Sequence, residues 1–116
     1  MNWKHFIVIP AYNEEKRIEK TVRDYSDHFK EKAEILIVLN GCSDKTGEIV
    51  RGLKKDLVNI EYLEFPEAIG KGKAVHEGFR YALNKVSGFK FQDSGLIGFV
   101  DADEATSPEE YKKWAV

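Results

Sequence analysis

The sequence predicts an α/β fold with an open, mainly parallel, Rossmann-like sheet in which about four strands alternate with helices. Two observations predict it. Short β-branched apolar runs recur along the chain, and stretches with apolar residues at helical spacing separate them. This alternation requires right-handed crossover connections, which make the strands parallel. The 116 residues, 42% of them apolar, suffice for one domain with a core.

The first strand is predicted at residues 6–9, an apolar run that Pro10 ends. Asn13 is expected to cap the first helix, since two glutamates follow it at the positive end of the helix dipole. The apolar face of this helix is expected to hold Ile18, Val22, Tyr25 and Phe29.

The second strand is predicted at residues 35–39, an unbroken apolar run that Asn40 and Gly41 close. Ser43 or Asp44 is expected to cap the helix that follows. Its inner face is expected to hold Ile49, Val50 and Leu53.

The third strand is predicted at residues 58–65, where Pro66 ends it, and the glycine-rich segment 70–73 opens the third helix. The residues expected to face inward on that helix are Ala74, Val75, Ala82, Leu83 and Val86.

A polar loop is predicted at residues 87–95 and the fourth strand at 96–100. Ser107 and Glu110 have the spacing of a capping box, and Pro108 is expected at the first position of the last helix.

The net charge of −2, without any block of like charge, gives no electrostatic argument for binding to nucleic acid or to a membrane. Cys42 is the single cysteine, so an internal disulfide is impossible and a reducing compartment is suitable. No apolar run approaches the roughly 20 residues that span a bilayer. A cytoplasmic location is therefore expected, with membrane association through a further C-terminal part left open.

The whole chain, residues 1–116, is interpreted as one domain that is truncated at its C-terminal end, because the last predicted helix stops after about two turns. A half-sheet of this kind exposes a strand edge and apolar surface. Formation of a homodimer, or a docked partner, is expected to cover that surface.

Unusual polar residues follow each predicted strand, in segments 10–14, 40–44, 70–72 and 101–104. Ligands of an open parallel sheet bind outside the carboxyl ends of its strands. The fold is therefore expected to bring these four segments to one rim.

Asp101 and Asp103 leave the fourth strand one residue apart, so both can turn toward one ligand. Carboxylate oxygens are hard ligands that suit Mg²⁺ or Mn²⁺. Ordinary turn residues are the alternative interpretation of the pair. Their position after a buried strand favours the metal site.

Three further rim features have both a binding and a structural interpretation. The 70–73 segment is either a phosphate-binding turn or a solvated turn. Tyr12 either stacks on a base or lies partly buried at the rim. Asn40 either bonds a nucleoside or tolerates a turn conformation. Cys42 has no basic partner nearby in the sequence, which favours a structural role.

Four ordered segments resemble motifs of the family 2 glycosyltransferases, enzymes of the GT-A fold that include dolichyl-phosphate mannosyl- and glucosyltransferases. The segments are Ile9-Pro10-Ala11-Tyr12-Asn13-Glu14-Glu15, Gly41-Cys42-Ser43-Asp44-Lys45-Thr46, Gly70-Lys71-Gly72-Lys73-Ala74-Val75 and Val100-Asp101-Ala102-Asp103. The resemblance covers nearly the whole chain and is specific for the family but not for the substrate.

The resemblance implies an inverting transfer of sugar from a UDP- or GDP-linked donor to an acceptor such as a lipid phosphate. The donor-binding residues it implies are Pro10, Ala11, Tyr12, Glu14, Asn40, Lys71, Asp101 and Ala102. It implies Asp101 and Asp103 as ligands of the metal, Mg²⁺ or Mn²⁺.

The chain departs from the family pattern in two ways. Leu39 and Asn40 stand where the family usually carries paired aspartates, which leaves the base preference open. The family's acceptor site and catalytic base belong to a later part of the fold, so no residue here is assigned as the general base.

Two other functions stay open. A nucleotide-sugar-binding module without catalysis, or a degenerate paralogue, agrees with the missing second half of the fold and with Asn40. A flavodoxin-like signalling domain, with Asp101 as phosphoacceptor, agrees with the strand–helix alternation but leaves segments 10–15 and 70–75 unexplained.

Overall fold

A computed structural model describes residues 5–86 and 96–114. In chain order its elements are β1 (His5–Ala11), α1 (Ile18–Phe29), a 3₁₀ turn (Lys30–Lys32), β2 (Glu34–Asn40), α2 (Thr46–Asp56), β3 (Ile60–Phe65), α3 (Lys71–Val86), β4 (Leu96–Phe99) and α4 (Pro108–Trp114). The strands form one sheet in the order β3-β2-β1-β4, and every neighbouring pair is parallel. The predicted α/β class and the parallel sheet are confirmed.

The two central strands, β1 and β2, are buried between two layers of helices, which is why their apolar runs are unbroken. Alternate residues of β2 serve different layers. Ile35 and Ile37 pack with α1, α2 and α4, whereas Leu36 and Val38 pack beneath α3. The predicted apolar face of α1 is confirmed, because all four of its residues are buried.

α3 packs unusually close to the sheet at Gly78. A Cβ atom at this position would lie 2.5 Å from Cγ1 of Val8 in β1. The absence of a side chain therefore sets the depth at which α3 lies, and with it the position of the start of α3 at the rim.

Pro10 does not end β1, which continues to Ala11. Pro10 pairs with Val38 of β2 but lies beyond the last pair with β4, Val8 with Phe99. The oxygen of Val8 accepts the Val100 N–H, and residues two apart in a strand point the same way. The N–H that proline lacks would therefore point past the end of β4, so no ladder hydrogen bond is lost.

The third strand begins two residues later than predicted, at Ile60. Val58 lies in the preceding turn, 88% exposed, although its residue type favours a strand. The next residue, Asn59, is buried and its carbonyl accepts the Ile35 N–H, so hydrogen bonding to β2 begins at the end of this turn.

The predictions for α1 and α3 need correction. Asn13 does not cap α1, because its side-chain oxygen accepts the N–H groups of Ser43 and Asp44 across the rim. Leu83 is 56% exposed and does not face inward, whereas Ala74 and Ala82 are buried as predicted. The side chain of Val86 and the loop predicted at 87–95 lie outside the described residues.

The N-cap residue of α2 is Lys45 rather than Ser43 or Asp44, and its side chain makes no capping bond. Asp44 lies one residue earlier, and its carboxylate oxygen accepts the N–H of Thr46, the first residue of α2. The predicted start of the last helix agrees with the structure. The hydroxyl of Ser107 accepts the N–H of Glu110, and Pro108 is the first residue of α4.

Candidate functional site

A cleft of about 410 Å³ lies at the carboxyl ends of the strands. This volume is within the range of small-molecule sites. The residues that line it are Pro10, Ala11, Tyr12, Glu14, Asn40, Lys71, Asp101, Ala102 and Asp103. The structure thus brings together every residue that the sequence predicted for donor or metal binding, from four segments that are far apart in the chain.

The acidic turn of the cleft starts directly after β4. Ala102 is buried, which anchors the turn, while Asp101 is partly exposed and Asp103 is exposed on either side of it. One oxygen of Asp103 accepts the Ala105 N–H at 3.0 Å. Asp103 therefore has the role of a turn residue, and among the described residues this role occupies only one of its two carboxylate oxygens.

Lys71 places a positive charge on this turn. Its Nζ donates to Oδ1 of Asp101 at 2.5 Å and lies 6.0 Å from the ring centroid of Phe99. Both partners of the ion pair are well exposed, so the pair contributes little to stability. The ion pair instead fixes the position of an ammonium group beside a carboxylate in the cleft.

The described residues hold no group of three or more histidine, cysteine or acidic side chains that could enclose a metal ion by themselves. The cleft does hold Asp101 and Asp103, with the Lys71 ammonium already beside the first. Two carboxylates suit Mg²⁺ or Mn²⁺, because Mg²⁺ in particular is commonly bound through one or two carboxylates, substrate phosphates and water. The donor set therefore fits such an ion if a phosphate ligand accompanies it.

Another part of the cleft is formed by the end of β1 and the segment after it. Tyr12 is 57% exposed there, which leaves its ring accessible. The carboxylate of Glu14 accepts two hydrogen bonds from the guanidinium of Arg17. With Glu14, Asp101 and Asp103 the cleft carries three carboxylates against one lysine.

Asn40 is the buried polar residue of the cleft, with only 5% of its surface exposed. Its Oδ1 accepts the Ile69 N–H at 2.7 Å, which ties the end of β2 to the segment before α3. Because that N–H requires an acceptor, the orientation of the amide is fixed, and the Nδ2 group has no acceptor among the described residues.

Gly41, the next residue, has φ +68, and a Cβ atom there would lie 2.3 Å from the nitrogen of Ala68. Only glycine fits this crossing of two rim segments. The rim after β2 is therefore packed directly against the segment that leads to Lys71.

Sequence reasoning missed the side chains that join the rim segments. Asn13, Asp44 and Thr46 bond backbone groups of the neighbouring segment, as does Thr21 of α1. The sequence places Asn13 and Asp44 in rim segments, but the only individual role it predicts for them is to cap their own helices. One signal could have found them. The segments before α1 and α2 contain more small polar residues than are needed to cap two helices.

Cys42 lies beside this junction, where its sulfur donates to the oxygen of Ala11 at 3.3 Å and packs against the core. This contact supports the structural role predicted for it.

No helix in the parts of the chain that the structure describes is long and apolar enough to cross a membrane.

The model of glycosyl transferase family 2 matches residues 6–115 of the chain. Among curated proteins, the dolichyl-phosphate β-glucosyltransferase ALG5A of Trichomonas vaginalis is 32% identical over 114 residues, which are 91% of this chain and 32% of that protein. The chain thus spans about a third of the length of this relative.

Two solved structures are also similar. S. aureus TarS 1–349 in complex with UDP superposes with a TM-score of 0.70 at 25% identity, covering 97% of this chain and 31% of that one. A mannosyltransferase of Pyrobaculum calidifontis in complex with GDP-Man and Mn²⁺ superposes with a TM-score of 0.59 at 26% identity, covering 67% and 24%.

Proposed function

The chain belongs to glycosyl transferase family 2, and from this premise we propose that its cleft binds the nucleotide diphosphate of a sugar donor together with Mg²⁺ or Mn²⁺. One observation carries the proposal: two carboxylates, one ammonium group and an exposed tyrosine, from distant segments, line one cleft at the carboxyl ends of parallel strands. The mannosyltransferase with GDP-Man and Mn²⁺ and the TarS complex with UDP support the class of ligand.

Asp101 and Asp103 are the proposed metal ligands. Arg17 pairs with Glu14 and Lys71 pairs with Asp101, so the described cleft offers little uncompensated positive charge to a bare diphosphate, and tight binding is proposed to need a cation between them. A divalent cation bound there supplies positive charge that stabilises the departing diphosphate. Lys71 partly neutralises the negative charge of Asp101 in the free protein, and the same ammonium group can bind a donor phosphate.

The nucleoside is proposed to occupy the other side of the cleft. Pro10, Ala11 and Tyr12 give an apolar and aromatic wall, and the exposed ring of Tyr12 suits stacking on a base. Glu14 and Asn40 supply polar atoms that can bond the base or ribose. Ala102 contributes buried backbone between the two metal ligands.

For the whole protein we propose transfer of the sugar with inversion, to a lipid phosphate as acceptor. The dolichyl-phosphate glucosyltransferase relative supports this class of acceptor. Residues 1–116 are proposed as the nucleotide-sugar-binding part of such an enzyme, on the cytoplasmic side and associated with a membrane. No cleft residue is assigned as the general base.

A second function, donor binding without transfer, is favoured by one observation. The described cleft holds no carboxylate beyond those already used for metal binding and for pairing with Arg17. Membership of the glycosyltransferase family, by contrast, removes the signalling-domain alternative with Asp101 as phosphoacceptor.

Titration calorimetry with UDP- and GDP-sugars, in EDTA and in Mn²⁺, tests the proposal. We expect at least one donor to bind, and more tightly in Mn²⁺. Lack of binding to either nucleotide by the folded chain refutes the proposed function. Release of sugar or transfer of sugar by this chain excludes the non-catalytic alternative.

Asp103→Ala tests the metal site. Affinity for the donor in Mn²⁺ is expected to fall by about 1–3 kcal/mol, as for one lost charged contact, while affinity in EDTA does not fall. Glu31→Ala, which removes an exposed carboxylate outside the cleft, is the matched control. An unchanged response to Mn²⁺ in the Asp103 variant would show that Asp103 is not a ligand.

A further inference from the structure

Two buried threonines contact backbone groups of the cleft without lining it. Thr21 of α1 is 1% exposed and Thr46 of α2 is 0% exposed. Thr46 was matched only as the last residue of a family segment, and Thr21 belonged to no motif. The Thr46 hydroxyl bonds the segment after β1, and the Thr21 hydroxyl bonds the acidic turn after β4.

Thr46 connects the segment after β2 to the segment after β1. Its Oγ1 accepts the Glu14 N–H at 2.8 Å and donates to the Asp44 carboxylate at 2.5 Å. The other oxygen of Asp44 accepts the Glu15 N–H at 3.2 Å. A hydroxyl is suited to this position because it donates and accepts at once. Hydrogen bonding to Thr46 and Glu15 holds the pKa of Asp44 below its ordinary value, although burial acts to raise it.

Thr21 connects α1 to the acidic turn. Its hydroxyl lies 2.6 Å from the oxygen of Ala102 and 3.1 Å from the oxygen of Arg17 in its own helix. A hydroxyl has a single hydrogen, so the shorter contact is the principal bond. Ala102 is the residue between Asp101 and Asp103, so this bond holds the backbone between the two carboxylates against α1.

We propose that Thr46 and Thr21 are positioning residues for the two halves of the cleft, Thr46 for the nucleoside side through Glu14 and Thr21 for the metal side through Ala102. This inference rests on the proposed function and extends it to residues that touch no ligand. The two hydroxyls act on separate segments, so their removal has separable effects on binding.

The test measures two quantities for the 116-residue chain by calorimetry with UDP and GDP. The first is Kd in EDTA, which reports the metal-independent contacts. The second is the ratio of Kd in EDTA to Kd in Mn²⁺, which reports the contribution of the cation. Valine replaces threonine because it keeps the shape and removes the hydroxyl.

Thr46→Val is expected to raise Kd in EDTA roughly tenfold, as for one lost buried hydrogen bond, and to leave the ratio unchanged. Thr21→Val is expected to lower the ratio roughly tenfold and to leave Kd in EDTA unchanged. Each variant is thus the control for the other, since general loosening of the fold would change both quantities in both variants.

Serine and alanine variants isolate the hydroxyl if a valine variant is poorly folded. Both lack the methyl group, but only serine keeps the oxygen. Thr46→Ser and Thr21→Ser are therefore expected to bind like the wild type. Thr46→Ala is expected to change Kd in EDTA and Thr21→Ala to change the ratio, as for the valine variants. Thermal unfolding confirms that each variant is folded at the temperature of the titration.

Equal changes in both quantities for both variants, or no change in folded variants, would overturn the positioning roles while the proposed function stands. If Kd in EDTA equals Kd in Mn²⁺ for the wild type, the proposed metal site is refuted, and the role of Thr21 with it. Absence of binding to either nucleotide by the wild type would remove the proposed function, and the positioning roles with it.

Discussion

Asn40 shows how one side chain can serve the fold and the cleft together. Its oxygen holds the Ile69 N–H, and its Nδ2 group has no acceptor among the described residues. The free Nδ2 group presents donors to a ligand, whereas an aspartate could present only acceptors. The departure from the family's acidic residue changes the polarity of this position as well as its charge.

Asn40→Ala is expected to lower the free energy of unfolding by about 1–3 kcal/mol, because the buried Ile69 N–H loses its acceptor. Asn40→Asp keeps an acceptor and is expected to retain more of that stability than the alanine variant. Urea unfolding of the three proteins checks this. Equal losses in the two variants would mean that the hydrogen bond to Ile69 contributes nothing measurable.

At the scale of single residues, the sequence predicts which side chains gather but not how they bond. The nine cleft residues were predictable because the carboxyl ends of parallel strands share one edge. The bond from Asn13 to Ser43 spans 30 residues and that from Thr21 to Ala102 spans 81. Such partners depend on the final packing of the helices, which no local pattern encodes.

At the scale of elements, the type of each strand was predictable and its ends were not. β2 is an unbroken apolar run because helices cover both of its faces. The strand ends predicted from Val58 and Pro10 were wrong. The position of the neighbouring strand determines where a strand ends more strongly than the preference of a single residue does.

Glu34, the first residue of β2, gives this strand a dependence on pH. Burial raises the pKa of its carboxyl group above the ordinary value of 4.5, although Lys85, with its Nζ 3.7 Å away, acts to lower it. A raised pKa means that the folded protein favours the protonated form. The stabilising effect of this group is fully present below 4.5 and is lost as the pH rises through the folded pKa.

Glu34→Gln is therefore expected to raise the free energy of unfolding at pH 7.5 relative to the wild type, with a smaller difference near pH 5, because a neutral amide avoids the cost of burying a charge that Lys85 compensates only in part. Lys85 is partly exposed and its charge stays hydrated in the variant. Urea unfolding at the two pH values measures the difference. A difference that is constant with pH would show that Glu34 titrates normally.

At the scale of the whole molecule, the cleft links binding to global stability. A ligand that binds only the folded state at about 100 times its Kd adds about 2.7 kcal/mol, which corresponds to roughly 10 °C in Tm for a domain of this size class. UDP or GDP with Mn²⁺ is expected to produce such a shift, and Asp103→Ala to reduce it. Differential scanning fluorimetry with a nucleotide titration checks it, and an unshifted wild-type Tm at saturation contradicts it.

The homodimer stays a prediction. Phe99 on the edge strand β4 is 48% exposed, which agrees with an apolar surface that a partner could cover. Light scattering across a range of concentrations decides the matter, and a single monomer mass at every concentration contradicts the prediction.

The sheet order has a consequence for kinetics. β1, the first strand of the chain, lies between β2 and the last strand, β4, and the two ends also meet where His5 bonds Tyr111, 106 residues away. Closing so long a loop is slow, so contacts between β1 and β4 are expected to form after the β1–β2–β3 pairs. Because the cleft needs residues from both ends, a bound nucleotide should slow the unfolding limb of a chevron plot and leave the refolding limb nearly unchanged.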